Sequence, residues 1–269
     1  MAELAYDRIE GARAEKAIAF LHGILGSGGN LRTIARRFVE ARPEFAAWLV
    51  DLRGHGRSPK RTLGASLAAA ADDVRALAAR ASHPLCAIAG HSFGGKVGLA
   101  AARDLPRLDH VFAIDSTPGA REPLSGGDSA LAVIETIESL PATFSSKGAF
   151  VDAIVAAGQS RALAQWLALS VEPTGKGMRF ALDTREIRTL LLDYFATDLW
   201  PVVESPPGQL NVHLVVGDRS TSLSAADRDR ALAIAATNTR VTVDVLPAGH
   251  WVHVDDPEGL LRVLLDRTS

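Results

Sequence analysis

The sequence predicts an α/β protein: a mostly parallel sheet covered by helices on both faces, with a helical cap inserted into it. Three observations lead there. Short, nearly continuous apolar runs recur along the chain: Ala17–Leu21, Ala46–Leu52, Leu85–Ala89, His110–Ile114, Asn211–Val216 and Val241–Leu246. Such runs suit strands buried on both faces. Segments with helical spacing alternate with them, which is the signature of crossover-connected parallel strands. Between residues 121 and 207 that alternation stops, and the pattern becomes helical only.

Length and composition fit this reading. With 269 residues and 47% apolar side chains the chain can bury a sizeable core, and a mean hydropathy of +0.11 is ordinary for a globule. A formal charge of -2 and the absence of any basic run argue against nucleic acid as a partner. The start, MAELAYDRIE, lacks the basic and apolar regions of a secretion signal, and no apolar run approaches the roughly 20 residues that span a bilayer. The single cysteine, Cys86, leaves no disulfide to form, so a cytoplasmic protein is expected.

Taken in order, Ala17–Leu21 ends in His22-Gly23-Ile24-Leu25-Gly26-Ser27-Gly28-Gly29-Asn30, a glycine-dense loop that can bring main-chain N–H groups close to a substrate. No phosphate-loop spacing is present in it. The Ile24 amide is the expected second donor to an oxyanion, and His22 is expected to brace the loop. Asn30 caps a helix to about Val39. After the next strand, Asp51 to Pro59 reads as a charged turn, in which His55, flanked by glycines, is structural. Ser66 to Ala81 is an amphipathic helix.

The stretch around which the rest is arranged is Leu85 to Gly98, where an apolar strand runs into Gly90-His91-Ser92-Phe93-Gly94-Gly95 and then a helix. A G-x-S-x-G match in strand–turn–helix context marks a candidate nucleophile, Ser92, on a strained turn. Glycines are needed where the helix must pack against the strand, and the Phe93 amide, free at the helix start, becomes the first oxyanion donor. A serine hydroxyl needs a base within hydrogen-bond reach and an acid to orient that base. The helix after Ser92 runs to about Leu105, and His110–Ile114 leads into Asp115.

The cap, residues 121–207, carries helical segments near 129–140, 147–157, 161–170 and 184–196, punctuated by Gly126-Gly127, Pro141, Pro173, Gly175 and Gly177. It separates the two parts of the core, 1–120 and 208–269, and is expected to cover Ser92. Its aromatic residues Trp166, Phe180 and Trp200 are the candidates for lining an acyl-binding cleft, with burial in the cap's own core as the alternative. The core resumes at Asn211 and continues through a helix from Ser224 and the strand Val241–Leu246 to Gly249-His250-Trp251. A last helix begins at Pro257. No repeat and no metal-binding pattern occurs.

With His22-Gly23-Ile24, Asp51 to Ser58, Gly90 to Gly95 and Gly249-His250-Trp251 in hand, the chain resembles the α/β-hydrolase superfamily over nearly everything outside the cap. The resemblance implies a serine nucleophile, an acid and a histidine in that chain order. His250, directly after the last strand, fits the histidine better than His253. The commoner family pattern places its acid in a turn after the strand Asn211–Val216, but Gly217-Asp218-Arg219-Ser220 puts serine at that place. Asp115, at the end of the strand following the nucleophile helix, is therefore preferred to Asp218, as in a subgroup of small acyl esterases and thioesterases to which the cap's Met178-Arg179-Phe180 and Trp200 also look similar. The activity implied by this resemblance is hydrolysis of a small carboxylic ester or thioester through an acyl-enzyme, with no metal or organic cofactor. The same fold hosts C–C bond hydrolases, perhydrolases and acyltransferases, and a non-catalytic binding protein is the rival of another class.

Overall fold

In the computed structural model, which describes residues 1–60, 64–123 and 129–268, the chain first lays down β1 (Tyr6–Glu10), β2 (Lys16–Leu21), α1 (Arg32–Ala41), β3 (Phe45–Val50), α2 (Leu67–Arg80), β4 (Leu85–His91), α3 (Phe93–Ala102) and β5 (His110–Ile114). A second stretch holds α4 (Ala130–Ser139), α5 (Lys147–Ala156), α6 (Arg161–Leu167), the strands β6 (Val171–Thr174) and β7 (Gly177–Phe180), α7 (Thr184–Ala196) and α8 (Trp200–Glu204). Strand β8 (Asn211–Gly217), α9 (Ala225–Thr237), β9 (Val241–Leu246), α10 (Val252–Asp255) and α11 (Pro257–Arg267) complete it. The Gly126-Gly127 break lies outside the described residues.

Seven strands form one sheet in the order β1-β3-β2-β4-β5-β8-β9, parallel except for β1. Alternation along β2 explains why both faces are covered. Ala17, Ala19 and Leu21 pack on the side of α2 and α3, with Ala70, Val74 and Val97, while Ile18 and Phe20 pack on Ile34, Phe38 and Leu264 of α1 and α11. Each fully buried Phe or Leu contributes about 1.5–3 kcal/mol relative to exposure. The strand order reverses between β2 and β4. That reversal opens a crevice at their carboxyl ends, the position at which ligands bind open α/β sheets. The loop after β2 and the turn after β4 both empty into it.

Serine caps start five of the helices among the described residues: Ser66, Ser129, Ser146, Ser160 and Ser224 each accept a main-chain N–H from three residues on. Three features differ from the sequence reading. The first strand, β1, hides in charge: Asp7, Arg8 and Glu10 leave no apolar run, yet an antiparallel edge strand on β3 needs only one dry face. Asn30 does not cap α1 directly. It closes a 3-10 turn (Gly28–Leu31), accepting the Ser27 amide through Oδ1 at 2.7 Å. Between α6 and α7 the helical expectation gives way to the β6–β7 hairpin, whose four-residue strands, one holding Pro173, are too short to show as apolar runs. Among the described residues no helix is long and apolar enough to cross a membrane.

Candidate active site

Ser92 joins β4 to α3 with φ 51° and ψ −115°, a conformation that costs an L-residue on the order of 1–3 kcal/mol. Its neighbours hold it there. A Cβ on Gly90 would lie 2.2 Å from the Gly94 carbonyl oxygen, and one on Gly94 2.4 Å from that of Leu21, so α3 begins hard against the sheet. Phe93 opens the helix, and its N–H has no acceptor within it. Only three non-glycine residues among those described have positive φ: Leu25, Ser92 and Asp115. All three stand at the carboxyl edge around the crevice.

The loop after β2 is bolted in place by two histidines. The Leu52 amide donates to His22 Nε2 at 3.0 Å and the Leu25 amide to His55 Nε2 at 3.1 Å, while Nδ1 of each ring lies 2.7 Å from the Gly23 carbonyl and 2.8 Å from that of Arg53, respectively. An Nε2 that accepts leaves the proton on Nδ1, so both rings are neutral. Burial pushes His22 down to about 4; burial, then the neighbouring His22, pushes His55 to about 3. Asp51 ties the same loops together, accepting the Gly28 amide at 2.8 Å and that of Arg57 at 3.1 Å. The Ile24 amide, held in this braced loop, donates to no acceptor among the described residues.

His250 follows β9. Its Nδ1 lies 2.6 Å from Asp115 Oδ2, and Asp115 is wholly buried. The carboxylate also accepts Ser220 Oγ at 2.5 Å and the Gly217 amide at 3.1 Å. Burial pushes the Asp115 carboxyl up, but the His250 hydrogen bond and charge, with Ser220 and Ser222, outweigh it and hold the group below its ordinary value. Ser222 Oγ stands 2.8 Å from the same His250 nitrogen. His91 Nε2 lies 2.8 Å from the His250 carbonyl, fixing the main chain beneath the ring. By contrast, Asp218 pairs with Arg219 at 3.3 Å on the surface. His253 is driven to about 4 by burial and then by His250, and its Nδ1 is enclosed without a partner.

One cavity of about 550 Å³ collects Ile24, Ser92, Phe93, Trp166 and His250. Ser92 Oγ makes no hydrogen bond to His250 here; such bonds commonly tighten only when substrate arrives. Trp166 reaches the wall from α6 and packs edge-on against Trp251, ring centroids 4.8 Å apart, beside His250. The other two aromatic candidates stand elsewhere, and this corrects the sequence reading. Phe180 stacks on Phe150 at 5.7 Å within the covering segment. Trp200 is buried against Gly119 with Arg230 over its ring at 4.6 Å.

Sequence reasoning missed the serine loop under Asp115, although the serine at the usual acid position was its trace. It also missed Lys96. This fully buried lysine donates from Nζ to the Gly119 and Tyr194 carbonyls, both at 2.7 Å, tying α3 to the chain leaving β5 and to α7. Burial, then Arg121, pushes its ammonium down to about 7. The trace was a lone charge in the apolar helix Phe93–Ala102.

Residues 18–263 match the alpha/beta hydrolase family. The chain belongs to that family. This alpha/beta hydrolase is 27% identical over 271 residues to the sn-1-specific diacylglycerol lipase ABHD11 of Mus musculus, covering 96% of this chain and 82% of that one. It is also 27% identical over 263 residues to the esterase YbfF of Escherichia coli K12, covering 92% and 91%. Among solved structures, a marine microorganism esterase superposes on this alpha/beta hydrolase with a TM-score of 0.84 over 99% of both chains at 22% identity. The architecture is thus shared end to end, covering helices included.

Proposed function

We propose that the protein is a serine hydrolase that cleaves carboxylic esters or thioesters of small acyl substrates through an acyl-enzyme on Ser92. One observation carries the reading: a serine on a strained turn opens into the same cavity as a histidine whose far nitrogen is held by a buried carboxylate. The lipase and esterase relatives support the substrate class.

In this reading Ser92 Oγ attacks the acyl carbonyl as His250 Nε2 takes its proton, and His250 then returns that proton to the leaving alcohol or thiol. The imidazolium formed in between is stabilised by Asp115, kept anionic by its hydrogen bonds. Negative charge on the tetrahedral oxygen falls to the amides of Ile24 and Phe93, each worth roughly 3–4 kcal/mol in such sites. Because the braced loop and the helix start are built before substrate arrives, no reorganisation is needed at the moment of reaction. Water, activated by His250, releases the acyl group. Lone Cys86, unpaired, supports a cytoplasmic setting.

The test is a panel of p-nitrophenyl esters and acyl thioesters of increasing chain length, run beside labelling by a fluorophosphonate. Turnover and a single covalent adduct on Ser92 are expected, and Ser92→Ala should lose about a millionfold in turnover. Labelling elsewhere, or a variant retaining a hundredth of the rate, overturns the reading.

A further inference from the structure

Arg121 begins the stretch that covers the sheet, and it lines the cavity that holds Ser92 and His250. Its main-chain N–H donates to the Phe195 carbonyl at 2.9 Å, and its guanidinium lies over the Phe195 ring at 5.3 Å. Of its five side-chain N–H groups, one is accounted for, by Nη1 to the Ser222 carbonyl at 2.9 Å. The Nε–H is buried without an acceptor, and Nη2 donates to no group among the described residues. No carboxylate of the described residues pairs with this cation.

No carboxylate of the described residues reaches the guanidinium from the cavity wall. Among the described residues the cavity wall contains no aspartate or glutamate and two arginines, Arg121 and Arg219. Arg219 is already paired with Asp218 and has a largely exposed side chain. Behind Arg121 stands Lys96, whose ammonium is pushed down by burial and then by the Arg121 charge, while Asp198, Asp227 and Asp193 act on Lys96 in the opposite sense without an ion pair to Arg121. Asp115 is committed to His250 and Ser220. The half-buried guanidinium faces the cavity with a buried Nε–H that has no acceptor and no paired carboxylate among the described residues, and a cation–π contact supplies only part of a counter-charge. The planar fork of free N–H groups matches a carboxylate in a two-point contact.

We infer that Arg121 recognises a carboxylate on the substrate, so that the esters or thioesters this site turns over are themselves acids. The inference rests on the hydrolase reading above and names its substrate class. A substrate carboxylate seated on Arg121 supplies the missing counter-charge and orients the scissile carbonyl toward Ser92.

Two matched pairs test it at low salt. The acyl-side pair is p-nitrophenyl hemisuccinate against uncharged p-nitrophenyl pentanoate; the alcohol-side pair is acetylglycolate against propyl acetate. The quantity read is the charged-to-neutral ratio of kcat/KM within each protein, which a general loss of fold or activity leaves unmoved. In at least one pair the ratio is expected to fall about tenfold or more on Arg121→Gln, with Arg121→Lys between, and to shrink with added salt in the wild type. The responding pair tells which side carries the acid. Equal ratios in wild type and Arg121→Gln for both pairs, with pentanoate still turned over, overturn the role of Arg121 and leave the hydrolase reading standing. No turnover of any ester and no fluorophosphonate adduct sink both.

Discussion

His22 and His55 on one side of the crevice and His250 on the other use the same side chain for opposite ends. The first two have both ring nitrogens occupied by main-chain groups, sit out of contact with water, and are held neutral far below their ordinary range. His250 has Nδ1 held by Asp115, while its side chain remains 39% exposed. A ring whose nitrogens are both occupied is a bolt. A ring with one nitrogen held by a carboxylate and the other facing a cavity can take up a proton and give it away. The difference lies in hydrogen-bond accounting rather than in proximity to Ser92, since His22 lines the same cavity.

The sharpest way to break this comparison is to remove each kind of ring. His250→Ala is expected to lower turnover about a millionfold with a melting temperature near that of the wild type. His55→Ala orphans the Leu25 amide in a strained loop and should cost about 1–3 kcal/mol of stability for that group alone, read as a lower urea midpoint. If His55→Ala instead kept its stability and lost turnover as completely as His250→Ala, the division of labour would be wrong.

Next in size is the acid. Asp115→Asn should cost on the order of 10⁴-fold in turnover with the fold intact, because the amide favours the wrong tautomer of His250. Asp218→Asn, at a surface pair with Arg219, should stay within about tenfold. The reverse ranking would mean that the contact at 2.6 Å between His250 and Asp115 is structural.

The bolts also predict a pH dependence of stability. As pH falls from about 6.5 towards 4, unfolded chains take up protons that folded His22 and His55 refuse until about 4 and about 3, so the folded state loses ground. Equilibrium unfolding at pH 7 and pH 5 should differ by a few kcal/mol, with pH 5 the less stable. Equal stability at the two values would show that these rings take up protons in the folded state without loss.

How much of the molecule is legible in the chain depends on how local each cause is. The buried strands and the Ser92 turn are dictated by residues within a few positions, and they stand where the sequence puts them, whereas Asn30 closes a 3-10 turn before α1 instead of capping it. Gly90 and Gly94 are legible because a side chain at either would overlap main chain. The serine loop was not, since Ser220 and Ser222 gain their role only when β5 and β8 become neighbours and bring Asp115 to them. Neither was the partner of each covering aromatic. Trp166, Phe180 and Trp200 look alike as apolar residues on a helical or short extended segment, and only packing between distant segments separates the one on the cavity wall from the two that face away.

That separation carries the smallest expected effect. Trp166 stands on the wall beside Trp251, so Trp166→Ala enlarges the space next to the nucleophile and should change the ranking of p-nitrophenyl ester chain lengths by a few-fold, longer acyl groups gaining, since each extra CH₂ buried is worth about 0.8 kcal/mol. Trp200→Ala opens a void between Gly119 and Arg230, and Phe180→Ala leaves Phe150 without its stacking partner. Both should lower the melting temperature, Trp200→Ala the more, as the fully buried ring, by about 3–5 kcal/mol of stability. Neither should reorder the chain-length series. A changed ranking in Trp200→Ala with Trp166→Ala unchanged would mean that the acyl chain runs beneath α8 and not past α6.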